Sequence, residues 1–191
     1  MTGGCGAHGP ASASAGGAGP ASASAGAAGP DTVTTAEYEV YGALLRELYA
    51  DRDGRMPTGT FLVAQPEPWV AIADSQLIAS NEVDPAARAE YLARNARPYT
   101  LEPRVPGLPR QVALTAGEVA AIFVGRGRTG AYRGYPDAVA LVRLSRVGFS
   151  QDGQTALLFI RRIGKFGIAR MRRTAEGWRF VDWPTGFFMD G

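Results

Sequence analysis

The chain has 191 residues, of which 46% are hydrophobic and 9% aromatic, a composition typical of a folded globular domain. Its only cysteine is Cys5 and its only histidine is His8. A domain beyond these two residues therefore cannot contain a Ser-His-Asp or Cys-His catalytic site, a thiolate or imidazole metal site, or a disulfide framework.

The net charge of +2 hides an uneven distribution. Residues 1–103 carry 6 basic and 12 acidic side chains, whereas residues 104–191 carry 14 basic and 6 acidic ones. One interpretation is a basic face that meets an anion, a nucleic acid or a membrane surface. The other is that acidic N-terminal helices lie against a basic C-terminal sheet and neutralise it.

The first thirty residues are of low complexity. The string Gly-Pro-Ala-Ser-Ala-Ser-Ala-Gly occurs at residues 9–16 and again at 19–26. Small residues without an apolar face cannot offset the entropy of ordering the chain. We therefore predict a disordered Gly/Ala/Ser/Pro-rich tether over residues 1–32 and a single α+β domain over residues 33–191.

Cys5 stands directly before this tether, in Thr-Gly-Gly-Cys. Small residues ahead of a lone cysteine resemble the cleavage box of bacterial lipoproteins, in which the cysteine becomes N-terminal and is acylated. Thr2 stands where that box usually has leucine, and no charged and hydrophobic region precedes it. The resemblance makes Cys5 a candidate lipidation site. It predicts a cell-envelope or secreted location if a signal region precedes Met1, and a cytoplasmic one otherwise.

The first helix is predicted from a capping box. Thr34 and Glu37 have the spacing at which each side chain satisfies a free backbone amide of the other, and apolar residues follow at helical spacing as far as about Ala50. The sequence Asp-Arg-Asp-Gly at residues 51–54 then lacks the further oxygen ligands of a calcium loop, so it predicts a turn.

The middle of the chain alternates between strand and helix signals. Residues 60–64 predict a strand, and residues 69–73 a second short one. Asp84 followed by Pro85 predicts a helix start, with a Glu90–Arg94 pair on that helix. Residues 98–109 contain four prolines and predict an extended connector over the surface. A second capping box, Thr115 with Glu118, predicts a short helix over residues 119–123; the alternative for this apolar run is a strand.

Gly125, Gly127 and Gly130 spell Gly-x-Gly-x-x-Gly, but no long helix can follow in the sequence Ala-Tyr-Arg-Gly-Tyr-Pro, so we predict no dinucleotide site and no cofactor. Arginines and tyrosines interleave in this stretch, a mixture that can hold phosphates. Arg126, Arg128 and Tyr132 are therefore candidate ligand-binding residues. The alternative is a solvated loop with anchoring tyrosines.

The last third of the chain predicts four antiparallel strands in a meander, with the preceding helices on one face. An Asp-Gly turn within residues 150–154 and a Thr-Ala-Glu-Gly turn at 174–177 mark two hairpins, and residues 155–160 predict a buried central strand. Apolar residues change parity around Ser145 and Arg146, which predicts a bulge or twist. Arg146 is a candidate ligand clamp; the alternative is a structural ion pair with an acidic residue of the first helix.

Taken together, the Tyr-x-Val-Tyr sequence at residues 38–41, Leu-Ser-Arg-Val-Gly-Phe at residues 144–149 and Gly-x-Trp near the end resemble a family of uncharacterised bacterial secreted or lipoprotein-like proteins. The order of helices and strands also looks like NTF2-like or cystatin-like α+β folds. The resemblance implies a compartment and a fold, and no activity, since such folds host both enzymes and binding modules.

Three functions follow as hypotheses. The first is a non-enzymatic envelope-associated or secreted domain that binds a protein partner or a small anionic ligand, with a membrane contact only through a lipid anchor. The second is an enzyme that uses Asp152 or Asp182 with Ser145 and Lys165. The third is a nucleic-acid binder, for which arginines on one exposed face would be needed; the candidates are Arg126, Arg128, Arg133, Arg161, Arg162, Arg170, Arg172 and Arg173. We expect neither catalysis nor nucleic-acid binding.

Overall fold

The computed structural model describes residues 32–66, 74–77, 80–124, 132–163 and 165–189. The elements are α1 (Thr35–Tyr49), β1 (Thr60–Ala64), α2 (Pro85–Asn95), β2 (Arg110–Leu114), α3 (Ala116–Val124), β3 (Ala138–Leu144), β4 (Gly148–Phe149), β5 (Thr155–Arg162), β6 (Lys165–Thr174), β7 (Gly177–Asp182) and β8 (Phe187–Met189). The α+β class is therefore confirmed. Within the described ranges, no helix combines the length and the apolarity that a membrane crossing needs.

The strands form one mixed sheet with the main order β2-β1-β3-β5-β6-β7, to which β4 adds beside β5 and β8 beside β6. β1 pairs in parallel with both β2 and β3, and the later pairs are antiparallel. The prediction of a four-stranded antiparallel meander is wrong, because β1 and the unpredicted strand β2 extend the sheet beyond β3. Parallel strands need long connections, so no local turn in the sequence indicates that β1 pairs with β2 and β3.

Helices cover both faces of the sheet, and the prediction that they share one face is wrong. Side chains alternate between faces along a strand. On β5, Leu158 and Ile160 pack in the same cluster as α1, whereas Leu157 and Phe159 pack against α2. α3 covers the second face at the β1–β2 end of the sheet, over Leu62. The result is a layer of strands between two layers of covering chain.

The proline-rich connector contributes to the core. Tyr99, Leu101, Val105 and Leu108 are all buried and pack with α1. The predicted course over the surface is confirmed for most of residues 98–109, which are exposed, but the prediction did not include these four buried side chains. Its prolines break secondary structure, but the apolar residues between them cover the same sheet face as α1.

Local signals placed the helix starts and the turns correctly. The Thr34–Glu37 capping box is present in both directions, Asp84 caps α2, and Glu118 accepts from the Thr115 amide at 2.8 Å. Residues 51–54 close a turn in which the Asp51 carboxylate accepts the amides of Asp53 and Arg55. The predicted strand at residues 69–73 lies outside the described residues.

Candidate functional site

Arg146 forms a buried ion pair with α1, as the alternative to a ligand clamp predicted. Its side chain is 4% exposed, and its Nε lies 2.7 Å from Glu37 Oε1, with a second bond of 3.0 Å to Oε2. The Arg146 guanidinium also lies 5.7 Å from the centre of the Tyr99 ring. A buried side chain that a carboxylate holds through two hydrogen bonds is a structural element of the core. The structure therefore gives no support to Arg146 as a ligand residue.

Glu37 receives more hydrogen bonds than its capping role requires. Besides the Thr34 amide at 2.8 Å, it accepts the Val147 amide at 3.0 Å and a contact of 3.2 Å from Arg94. Burial alone would raise the pKa of Glu37. The hydrogen bonds from Arg146 and from the amides of Thr34 and Val147, with the positive charge of Arg146, outweigh burial and leave that pKa lowered. Glu37 is therefore an anion inside the core.

The backbone between β3 and β4 leaves the sheet, and side chains from the helices and the connector satisfy it. Tyr41 Oη donates to the Ser145 carbonyl at 2.6 Å, and Tyr99 Oη donates to the Leu144 carbonyl at 2.6 Å. Asn95 bonds both the amide and the carbonyl of Arg146. The parity change in the sequence therefore marks a break at residues 145–147 whose polar backbone groups are bonded by other groups of the protein.

The other candidate site residues do not join Arg146. Tyr132 is buried in the cluster beneath α3, where its hydroxyl accepts the Leu141 amide at 3.0 Å; it fits the alternative of an anchoring tyrosine. Arg126 and Arg128 lie outside the described residues, and so does Cys5.

The groups named for an enzymatic site are engaged elsewhere. The Ser145 hydroxyl donates to the Arg146 carbonyl and accepts the Phe159 amide at 2.7 Å. Asp152 holds its own turn through the hydroxyl of Ser150, and Asp182 pairs with Arg170. In the part of the chain that the structure describes, no cluster of three or more His, Cys, Asp or Glu residues could hold a metal ion.

The strand arginines are divided between the two faces of the sheet. Arg162 lies on the α1 face, with its guanidinium 5.9 Å from the Tyr49 ring centre. Arg170 is on the opposite face, where it pairs with Asp182 and donates to the Glu82 carbonyl at 2.7 Å. Arg172 and Arg173 are consecutive in β6 and so point to opposite faces. This division does not favour a nucleic-acid surface, which needs its basic residues on one face.

A cleft of about 600 Å³ runs between α1 and the edge strand β7. On the helix side it is lined by one stripe of α1, namely Glu39, Ala43, Arg46 and Glu47, followed by the C-cap residue Ala50. These positions recur at intervals of three or four residues and therefore share one helical face. Its volume lies within the range of about 300–1,000 Å³ typical of binding sites.

The strand side of the cleft is formed by the edge of β7. Residues 176–180 all line it consecutively. Successive side chains of a strand point to opposite faces, so an unbroken run of lining residues means that the cleft follows the strand edge. β7 is the last strand in the main order of the sheet, and none of the described strands pairs with its outer edge.

An exposed edge strand carries unpaired amides and carbonyls that can template another strand. The regular edge is limited to residues 177–180, because Arg170 pairs with Asp182 and Met171 with Phe180, which leaves Val181 as a bulge. Val181 is 46% exposed. Trp178 and Phe180 point toward the α1 side, where both pack on the core.

The sequence did not predict this cleft. Its walls come from residues 39–54, Pro106 and residues 176–180, and nothing local relates segments so far apart. A signal was present in β7, in which the aromatic residues Trp178 and Phe180 alternate with Arg179, a pattern unlike the unbroken apolar run at residues 156–160 of β5.

No protein-family model, curated protein or solved structure matches the chain. The family resemblance of residues 144–149 therefore stays a prediction.

Proposed function

We propose that this chain is a non-enzymatic binding domain that takes an extended segment of a partner protein into the cleft between α1 and β7, as an additional strand on β7. The observation that carries the proposal is the cleft along an unpaired strand edge. Strand addition supplies affinity through main-chain hydrogen bonds and specificity through pockets for alternate side chains.

The cleft offers both components. Every second residue of an antiparallel edge strand turns its amide and carbonyl away from its neighbour, which leaves these groups of β7 to a new strand. Ala43 on α1 and the ring atoms of Trp178 and Phe180 supply apolar surface beside that edge. The α1 wall carries two acidic side chains, Glu39 and Glu47, and one basic side chain, Arg46. Its net charge is therefore −1, and it does not itself attract an acidic segment.

The proposal is tested with a displayed library of linear peptides, selected on the full chain. We expect selected peptides to shift the amide resonances of residues 177–180 and of the α1 stripe. N-methylation of alternate peptide bonds should abolish binding in one register and leave it intact in the other, because only alternate amides face β7. Binding that shifts other amides, or that ignores N-methylation, would contradict strand addition.

A larger side chain in the cleft should block the binding of these peptides. Ala43→Gln places a longer side chain on the α1 wall, and we expect the selected peptides to bind at least about tenfold more weakly, which corresponds to about 1.4 kcal/mol. The matched control is Ala36→Gln, an exposed position about two turns earlier on the same helix that does not line the cleft, and it should leave affinity unchanged. Isothermal titration calorimetry measures the affinity of the selected peptides for each variant. Equal affinity for Ala43→Gln and Ala36→Gln would refute the cleft as the binding site.

We also propose a location. The resemblance of residues 2–5 to a lipoprotein cleavage box and the following tether support export and acylation of Cys5, which would hold the domain at the cell envelope. Expression in a bacterial host from a gene that includes the codons upstream of Met1 should give a membrane-associated protein whose N-terminal peptide carries acyl chains by mass spectrometry. Cys5→Ser should abolish the modification. An unmodified, soluble native protein would refute the location and leave the binding proposal untouched.

A further inference from the structure

Arg172 and Arg179 lie directly opposite each other across β6 and β7. Both are exposed, and both belong to the face opposite α1, because Met171 and Trp178 beside them pack on the α1 side. Like charges at directly opposed positions destabilise a sheet. The pair therefore costs free energy in the isolated domain unless an anion lies beside it.

The described part of the chain leaves this pair without a bonded anion. Neither guanidinium forms a salt bridge or a hydrogen bond among the described residues. Glu176, in the turn before β7, accepts from the hydroxyl of Thr174 at 2.9 Å. That hydrogen bond is the main cause that lowers the pKa of Glu176, and the charge of Arg179 adds to it without a bonded contact. Arg170, one position further along the same face, shows the contrast: Asp182 opposite it forms the ion pair expected of a cross-strand position.

A strand added to β7 would bring its own side chains next to this pair. Since side chains alternate between the two faces, the residue opposite Arg179 would lie on the Arg172 side. Its two neighbours would lie opposite Trp178 and Phe180, over the α1 cleft. The register thus defines what each position of the added strand would contact.

Resting on the proposed function, we infer that the partner segment carries an acidic residue between two apolar residues. The carboxylate pairs with Arg179 and approaches Arg172, and the apolar residues cover Trp178 and Phe180. A carboxylate beside two guanidinium groups accepts charge-assisted hydrogen bonds, which are about twice as strong as neutral ones. The same negative charge offsets part of the repulsion between the two arginines.

Three ten-residue probes test the inference, identical except for a centre of Val-Glu-Val, Val-Gln-Val or Val-Lys-Val between threonine flanks. On the native full chain we expect the glutamate probe to bind about tenfold more tightly than the lysine probe, because an attractive cross-strand pair replaces a repulsive one. This preference should shrink as salt rises. Amide shifts at residues 177–180 report whether each probe adds to β7.

Charge reversal supplies the sharper comparison. Arg179→Glu should invert the order of the probes, so that Val-Lys-Val binds more tightly. The matched control is Arg173→Glu, which reverses another exposed charge on the adjacent strand but on the α1 face, and should preserve the order. Circular dichroism checks that both variants fold.

The outcomes separate the two proposals. Probes that shift the β7 amides with equal affinity would overturn the acidic preference and leave strand addition intact. Inversion of the order by Arg173→Glu as well would overturn the Arg172–Arg179 pair as its cause, since net charge would then suffice. If no probe shifts the β7 amides at any concentration, and light scattering shows a concentration-dependent dimer, a second copy occupies the edge and both proposals fail.

Discussion

Glu37→Gln is expected to lower the free energy of unfolding by about 3–5 kcal/mol, the cost typical of removing one partner of a buried ion pair. The substitution leaves the Arg146 guanidinium charged and buried, because its Nε and a terminal nitrogen both bond Glu37. An amide oxygen can still accept one hydrogen bond, but the amide nitrogen cannot accept the second. Whole domains are stable by only about 5–15 kcal/mol. The midpoint of urea denaturation should therefore fall to a clearly lower urea concentration.

The matched control is Glu47→Gln on the exposed side of the same helix, which should change the unfolding free energy by less than about 0.5 kcal/mol. Arg146→Met removes the buried cation instead, and the double variant with Glu37→Gln should be less destabilised than the sum of the two single variants. It should not regain native stability, because Glu37 also accepts the backbone amides of Thr34 and Val147. Additive effects would contradict direct pairing.

The same pair predicts a pH dependence. The pKa of Glu37 is lowered in the folded state from an unfolded value of about 4.3. A depressed carboxyl pKa contributes stability that is complete above the unfolded pKa and is lost as pH falls through the folded one. The native domain should therefore lose stability below about pH 4.3 more steeply than the Glu37→Gln variant. Parallel pH profiles of the two would contradict the lowered pKa.

Gly148→Ala is the second substitution expected to have a large effect. A Cβ at this position would lie 2.5 Å from Tyr91 Cα, and closer still to the Ala87 carbonyl and the Tyr91 amide. Carbon atoms without a bond prefer separations of about 3.5–4.0 Å, and the obstructing atoms belong to the backbone of α2. The helix would have to withdraw, so we expect a loss of about 3 kcal/mol or more.

That withdrawal would break specific hydrogen bonds. Glu90 on α2 accepts the Phe149 amide at 2.5 Å, and Asn95 bonds the backbone of Arg146. The matched control is Gly117→Ala in α3, where an added methyl group would meet no described atom within 4 Å. The control should be neutral or stabilising by about 0.5–1 kcal/mol. Equal thermal stability of Gly148→Ala and the native chain would contradict the close approach.

Features set by neighbouring residues could be predicted from the sequence. The capping boxes, the proline start of α2 and the Asp-Gly turn each depend on residues within five positions, and the structure has all of them. For Arg146 the sequence predicts an ion pair with α1 as one of two alternatives. It predicts Glu37 only as part of the helix cap, so the partner of Arg146 is not identified. Nothing in the sequence indicated that one carboxylate serves both.

Features set by distant pairing could not be predicted. Residues 110–114 are polar at one end and follow a proline-rich stretch, so β2 was missed although it pairs with β1 over five positions. The prolines of residues 98–109 suggested a surface course, yet the apolar residues between them are buried. The cleft could not be predicted either, because it forms only when α1 packs beside β7, and these two elements are far apart in the sequence.

The distance along the chain between Glu37 and Arg146 has a consequence for biogenesis. The two residues are separated by 109 positions, so a growing chain exposes the first helix long before the ribosome has made its partner. During that interval the carboxylate cannot be buried against Arg146, because the segment before β4 has not yet been made. This contact therefore forms late and joins segments far apart along the chain, and non-local closure of this kind is slow. A chain that completes its fold late stays unfolded while it is being made, and the proposed export across a membrane requires an unfolded chain.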